Sequence, residues 1–451
     1  MSVLDTDRAR IQHLLRRAGF GYSADELDDY ASLGLDGAVE RLLHPELVDD
    51  SATDAALAPI LAPFALDGTD QEVQRAQGTA LYQAWYTRLV LTRRPLLERM
   101  TYFWHDHFAT SRSKVRQAAL LQRQNETLRA GALGSFQDLL LSVARDPAML
   151  IYLDNRSNAK SAPNENYARE LMELHTLGHG DGYTEDDIHE AARALTGWRI
   201  GPDGLAVFRR HFHDTGLKTV LGRTGNFDDA DVVAILAEDR LTAEYLCDKL
   251  VRAFVHPDGD AALAARAVDT YRATHGAIRE VMRTILLAPE MYSERAYRSI
   301  IKSPTEVIVG AKRALEAAPA SRSEAAFARR LGQLLYEPPN PAGWTGGSDW
   351  INATTVLTRS NFAAELTSLR SRDAADIPAL FRAHGVTASA DEVVDWTLDL
   401  LHGGDVDPAS RSVLVDHLGG SAHFTFEGAA REGLLQGMVY LALCMPLYHV
   451  A

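Results

Sequence analysis

Apolar residues recur at three- and four-residue intervals along most of the chain, the spacing that gathers them on one face of a helix. The pattern runs through ALYQAWYTRLVLT, RPLLERMTYFWHDHF, GSFQDLLLSVA, TAEYLCDKLVRAFV, GAIREVMRTILLAPEMY and TEVIVGAKRALEAA, and predicts a helix over each. Several ends are marked as well. Thr184 opens TEDDIHEAARALTGW with acids in its first turn, and Pro95 and Pro304 stand where a helix start tolerates a missing N–H. One stretch breaks the rule: LAVFRRHFHDTGLKTVLG alternates around Phe208–Phe212 and then turns at a glycine, which predicts a short β hairpin or extended segment near 205–222. The prolines and glycines of LYEPPNPAGWTGGSDWINATT forbid a continuous helix there, and residues 50–75 read as a flexible excursion. The fold class that follows is mainly α, a large multi-helix globular body. A main domain is expected over residues 1–373, with a C-terminal helical lobe over 374–451 against it.

Composition narrows the function classes. With 46% hydrophobic and 24% charged residues, the 451-residue chain has the balance of a soluble globular protein. A formal net charge of -15 argues against a nucleic-acid partner, whose phosphates attract basic surfaces. Cys247 and Cys444 lie in apolar contexts and read as buried thiols; no CxxC is present. No signal-peptide core and no run long enough to cross a bilayer is evident, so a cytoplasmic location without a membrane partner is expected. GxGxxG, Walker, HExxH and GxSxG patterns are missing, so no nucleotide cofactor motif is recognised.

Candidate chemistry concentrates in three places. In NENYARELMELHTLG, helical projection from Asn166 puts Glu170 at about 40°, Glu173 at about 340° and Arg169 at about 300°, while His175 falls at about 180° inside the apolar arc. Glu170 and Glu173 then point the same way, as carboxylates must to share a cation or a proton, with Arg169 beside them. Against this stands a solvated face for the acids and a core histidine at 175. In WHDHF, His105 and His107 diverge on a helix but converge at a helix end, where two imidazoles can meet a metal. In RRHFHDTGLK, His211 and His213 share one face of a strand, with Asp214 and Lys218 close by. Glu190 and Arg193 suit an ion pair, His189 suits the surface, and Asn352 and Arg359 in the Pro/Gly-rich region could face a substrate.

These stretches belong to a longer series: HLLRRAGFG, YFWHDHFATSRSKV, DPAMLIYLDNRSN, PNENYARELMELHTLG, YTEDDIHEAARALTGW, HDTGLKTVLG, IKSPTEVIV, EPPNPAGWTGGSDWINATTVLTRSNFA and LALCMPLYHV. In content and order the series resembles the bacterial DUF1800 family, a domain of unknown function, over nearly the whole chain. Within the resemblance, His213, Asp214 and Lys218 match while His189 and His211 stand outside it. Many members resemble exported proteins with signal peptides, a pattern from which this chain departs. Members also often occur beside a family resembling sulfatases and alkaline phosphatases, which implies a functional partner of that kind.

The resulting expectation is a metal-dependent enzyme acting on an unknown small molecule or peptide. His105, His107, Glu170, His175 and His213 would hold iron, manganese or zinc, and Glu173, Arg169, Asp214 and Lys218 would be catalytic. A metal-activated water would hydrolyse, or bound dioxygen would oxidise. A metal-free variant leaves Glu170 and Glu173 as a coupled acid–base pair. The alternative is a non-catalytic scaffold or partner-binding protein whose polar motifs are buried networks. The enzyme reading requires the three segments to converge.

Overall fold

Helices start where a small polar side chain can accept their first free N–H groups. Thr184 accepts from Asp187 N–H, and the Asp187 carboxylate returns to the Thr184 backbone; Ser303 with Glu306 repeats this box. Pro95 and Pro304 occupy first helical positions. A computed structural model describes residues 3–65, 70–180, 182–319, 322–368, 371, 373–421 and 424–451. Among them are 22 α-helices and two small antiparallel ladders, so the protein is mainly α.

The core is continuous and rich in aromatic rings, with Trp85, Trp104, Phe108 and Phe136 fully buried. The helix Gln71–Leu91 lies against Ala118–Gly131 and Pro304–Ala314, and Pro95–His107 lies against Ala118–Gly131. The helix Arg240–Phe254 packs on Ala261–Ala273 and on the turn Leu171–Thr176. After residue 374, Ile377–Ala383, Ala390–His402 and Pro408–His417 surround Ala429–Cys444, which in turn packs on Ala353–Thr367. The chain end is tied down: Lys302 N–H donates to His449 O at 2.9 Å and Ala451 N–H to Ile300 O at 2.8 Å. Among the described residues, no helix is long and apolar enough to cross a membrane.

The β structure differs in detail from the expectation of one hairpin. β1 (Trp198–Ile200) pairs with β2 (Ala206–Phe208), and β3 (Lys218–Val220) pairs with β4 (Arg223–Gly225). Between the ladders, Arg210–Phe212 form a single tight turn, so His211 and His213 do not share a strand face. His211 is exposed against Phe212, whereas His213 is buried. The ladder ends at the Trp198–Phe208 pair, and the chain leaves it once Arg209 N–H has bonded Gly197 O.

Residues 50–75 are also not one loop. Ser51–Leu61 is helical, Gln71 begins the next long helix, and residues 66–69 lie outside the described set. The Asp50 carboxylate anchors this region by accepting from the Thr53 and Thr92 hydroxyls and from Arg93 N–H.

Candidate functional site

The helix Pro95–His107 stays helical through both histidines of WHDHF, so the two rings turn about 200° apart and do not converge. His105 points into an aromatic box of Trp85, Tyr336 and Trp344, with centroids at 4.9, 5.3 and 5.9 Å. Its Nε2 accepts the Tyr336 backbone N–H at 3.0 Å, which spends the lone pair a metal would need. Burial pushes its pKa down to about 3 and keeps it neutral.

His107 turns the other way, stacked on Phe103, and meets a different set of groups. Its Nε2 lies 3.1 Å from the carbonyl of His175, which can only accept, so Nε2 carries the proton. Nδ1 is then a lone pair, and the Lys249 ammonium donates to it at 3.0 Å. Lys249 comes from the helix Arg240–Phe254, with its nitrogen 5.4 Å from the centre of the Tyr245 ring. Burial lowers the Lys249 pKa, and the charge of Asp106 partly restores it.

Asp106, between the two histidines in sequence, completes the group. Its Oδ1 accepts the Trp344 N–H at 2.9 Å, while burial raises its pKa to about 6. The approach of that loop depends on glycine. Gly343 has φ +82°, and a Cβ there would stand 2.3 Å from Asp106 Oδ1.

His175 arrives on a widened turn. The helix Asn166–Glu170 passes into a π-helical segment, Leu171–Thr176, closed by Leu177 N–H to Met172 O and by the Thr176 hydroxyl to Leu171 O. Such insertions are frequent at functional sites. His175 is wholly buried, 6.0 Å from the His107 ring and 5.1 Å from Phe108. Neither of its ring nitrogens has a hydrogen-bond partner among the described residues. Burial, aided by the charge of Lys249, drops its pKa to about 3. Phe103, Asp106, Tyr245, Lys249 and Trp344 are only partly buried and form the rim of this group.

The other expected residues lie elsewhere. Glu173, with 20% of its side chain exposed, is 3.5 Å from Arg169 and 3.6 Å from His179. Arg169 itself is held at 2.6 Å by Glu185. Glu170 is half-buried, its pKa raised by burial and then by the charge of Glu173. The pair is thus a partly screened surface cluster on the outer side of the turn that carries His175 inward.

His213 donates from Nδ1 to Thr196 O at 3.0 Å. Asp214 is clasped by Arg193 at 2.8 Å, which lowers its pKa, and Arg193 also holds Glu190. The buried Lys218 amine donates to Asp214 O at 2.6 Å and Gly216 O at 3.1 Å. These atoms fasten the loop to its helix. Two of the three segments therefore meet, through His107 and His175, while the polar groups around His213 are bonded apart from them; among the described residues no group of three or more His, Cys, Asp or Glu could hold a metal ion.

The Pro/Gly-rich segment does wall a cavity of about 500 Å³, lined in part by Pro339, Asn340, Gly343, Trp344 and Trp350. Through Gly343 and Trp344 it abuts Asp106. Asn352 lines that space too, with its oxygen committed to capping Thr354 and Thr355 N–H at 3.0 Å. Arg359 is buried and bonds Lys302 O at 2.9 Å. Lys249 escaped the sequence reading because it looks like the polar face of an amphipathic helix. Its one signal is rarity, since only six of the 46 basic residues are lysine.

A family model described as Protein of unknown function (DUF1800) matches residues 13–450, and the chain belongs to that family. No curated protein and no solved structure matches it.

Proposed function

We propose that this chain is a metal-free acid–base enzyme in which Lys249 and Asp106 act on a small carbonyl-bearing substrate held against Trp344. His107 positions the amine and His175 completes the buried wall. One observation carries the reading: Lys249 gives its hydrogen bond to a neutral imidazole and not to a carboxylate. Two structural lysines in the same protein are treated differently. Lys312 is buried on Glu324, and Lys114 pairs with Asp154 at 2.6 Å. An amine that is half-buried and desolvated is the kind that can shed its proton and attack a carbonyl.

The metal-dependent form of the reading fits the residues poorly. His105 has spent its Nε2 on Tyr336 and His107 both nitrogens on His175 and Lys249, so neither ring of WHDHF offers a lone pair. The net charge of -15 and two free cysteines support a cytoplasmic enzyme with a small-molecule substrate and no nucleic acid. The scaffold alternative draws support from buried networks such as that of Glu98, which accepts from Arg129 at 2.5 Å and from Trp85 at 3.2 Å.

Reductive alkylation separates the two. With acetaldehyde and cyanoborohydride, the free amine adds to the aldehyde, water leaves the imine, and hydride from the reagent reduces it. Across a pH series read by peptide mass, Lys249 should be ethylated at a lower pH than the exposed Lys160. Lys249→Arg should fold normally and lose only that adduct, because guanidinium does not deprotonate. Lys249 reacting in step with Lys160, or staying unmodified, would leave the scaffold reading in its place.

A further inference from the structure

A second polar cluster lies where the N-terminal helix Asp7–Arg17, the start of Pro304–Ala314 and the chain end meet, and its charges do not balance. Six cations gather there: Arg16, Arg17, Arg99, Arg298, Lys302 and Arg359. Two carboxylates pair with them, Glu306 with Arg99 at 2.7 Å and Asp405 with Arg298 at 3.1 Å. Glu306 is further committed to its own helix cap through Ser303 N–H at 2.8 Å. The remaining guanidiniums rest on neutral groups. Arg16 donates to Tyr22 OH at 2.6 Å, Arg17 to Ser299 Oγ at 2.9 Å and Arg359 to Lys302 O at 2.9 Å. Nε and Nη1 of Arg17 and Nε of Arg359 are buried without a hydrogen-bond partner among the described residues.

Lys302 is the centre of the imbalance. Only 8% of the residue is exposed, its ammonium sits 4.2 Å from the centroid of Tyr448, and among the described residues it forms no ion pair. Burial and the charge of Arg16 bring its pKa down to about 7, with Arg359 and Arg298 adding to the effect and Glu306 opposing it. Buried charges in folded proteins are ordinarily paired, and a surplus of this size calls for a counter-charge. The ammonium opens onto a cleft of about 20 Å³ bounded by Arg16, Tyr22, Lys302, Glu306, Gly310 and Tyr448. A single water needs roughly 10–15 Å³ on that measure, so the cleft admits a body of that order and not a phosphate.

We infer that this cleft binds one small monovalent anion of halide size against the Lys302 ammonium, fastening the N-terminal helix to the C-terminal residues. The inference is independent of the Lys249 reading, which concerns another part of the fold.

Two measurements on the full chain decide it. Crystals of the wild-type protein grown in bromide should show an anomalous peak in van der Waals contact with Lys302 Nζ. In solution at fixed ionic strength, replacing gluconate by chloride should raise the wild-type Tm by several degrees in a saturable manner. Lys302→Met, which keeps the length and removes the charge, should show no chloride response and should match or exceed the wild-type Tm in gluconate. An equal chloride response in both proteins, or no bromide at the cleft, overturns the inference. If the Met variant fails to fold, the bromide experiment on the wild type decides alone.

Discussion

His175→Leu should make the protein more stable, whereas the equally buried His105→Leu should make it less so. A neutral imidazole brings one donor and one acceptor, and each buried polar atom without a partner costs roughly 1–3 kcal/mol. Both His175 nitrogens are in that position, so the ring carries a penalty on the order of 2–6 kcal/mol. Leucine removes both atoms. It also forfeits the edge contact with Phe108, worth about 0.5–1.5 kcal/mol, and fits the widened turn imperfectly at a cost of about 1–3 kcal/mol. The bond from His107 Nε2 to the residue-175 carbonyl survives, since it involves backbone. At the midpoints of these ranges the expected net gain is about 1 kcal/mol. In His105→Leu the sign reverses, because the Tyr336 N–H loses its acceptor at a cost of about 1–3 kcal/mol before any packing loss. Urea unfolding followed by tryptophan fluorescence would show the His175 variant with a higher midpoint at unchanged slope, and the His105 variant with a lower one. Equal losses in both variants would mean that the His175 nitrogens are satisfied in solution, and the reasoning would fail.

Gly343→Ala combines a left-handed backbone penalty of about 1–2 kcal/mol with a Cβ forced to within 2.3 Å of Asp106 Oδ1. A loss of about 2–4 kcal/mol in the same unfolding assay is expected, and a change below about 0.5 kcal/mol would show that the loop does not press on Asp106. Acid should destabilise the protein well above pH 4. His13, His105, His107, His175, His402 and His449 have folded pKa values pushed below their unfolded 6.5, chiefly by burial, so the unfolded chain takes up their protons first as pH falls. Asp106, Asp146 and Glu170 oppose this, because burial raises their folded values and acid relieves them. The lowered histidines outnumber the raised carboxylates, so unfolding takes up protons near pH 5 and the midpoint should fall from about pH 6.5 downward. A flat or rising midpoint over that window would contradict the burial of these rings.

What the sequence made legible follows the range of the interaction concerned. Thr184 and Ser303 mark helix starts because a cap is settled within three residues. The apolar arc of residues 166–176 correctly places His175 inward, because helical periodicity survives one widened turn. The convergence of His105 and His107 turned on where their helix stops, and that is decided from outside. Trp104, in the last turn, is held by a bond from its indole to Ala132 O at 2.9 Å, and the helix runs through both histidines before Phe108 caps it. The partner of His107 was out of reach for the same reason, since Lys249 lies 142 residues away. The first ladder was closer to hand. Residues 201–204 read GPDG, a turn composition, but the strand before it is a three-residue WRI too short to alternate visibly.

The choice between lysine and arginine makes the strongest link between chain and chemistry. Forty of the 46 basic residues are arginine, and the fold uses them for its ion pairs: Arg129 on Glu98, Arg313 on Glu26, Arg99 on Glu306. Guanidinium suits that task, being permanently charged and able to engage a carboxylate with two nitrogens. A lysine in such surroundings gives up that bidentate grip for a group whose proton can be moved by its environment. Lys312 accepts the exchange at no cost in pairing, and Lys218 is satisfied by carbonyls. Lys249 and Lys302 are different, for among the described residues neither has a carboxylate partner, one facing a neutral imidazole and the other an aromatic ring. Packing alone gives no reason to leave an amine in either place, since leucine or methionine would fill the space without a charge to desolvate. On the two proposals above, each position holds an amine left for something brought from outside: Lys249, deprotonated, for a carbonyl, and Lys302, protonated, for a small anion.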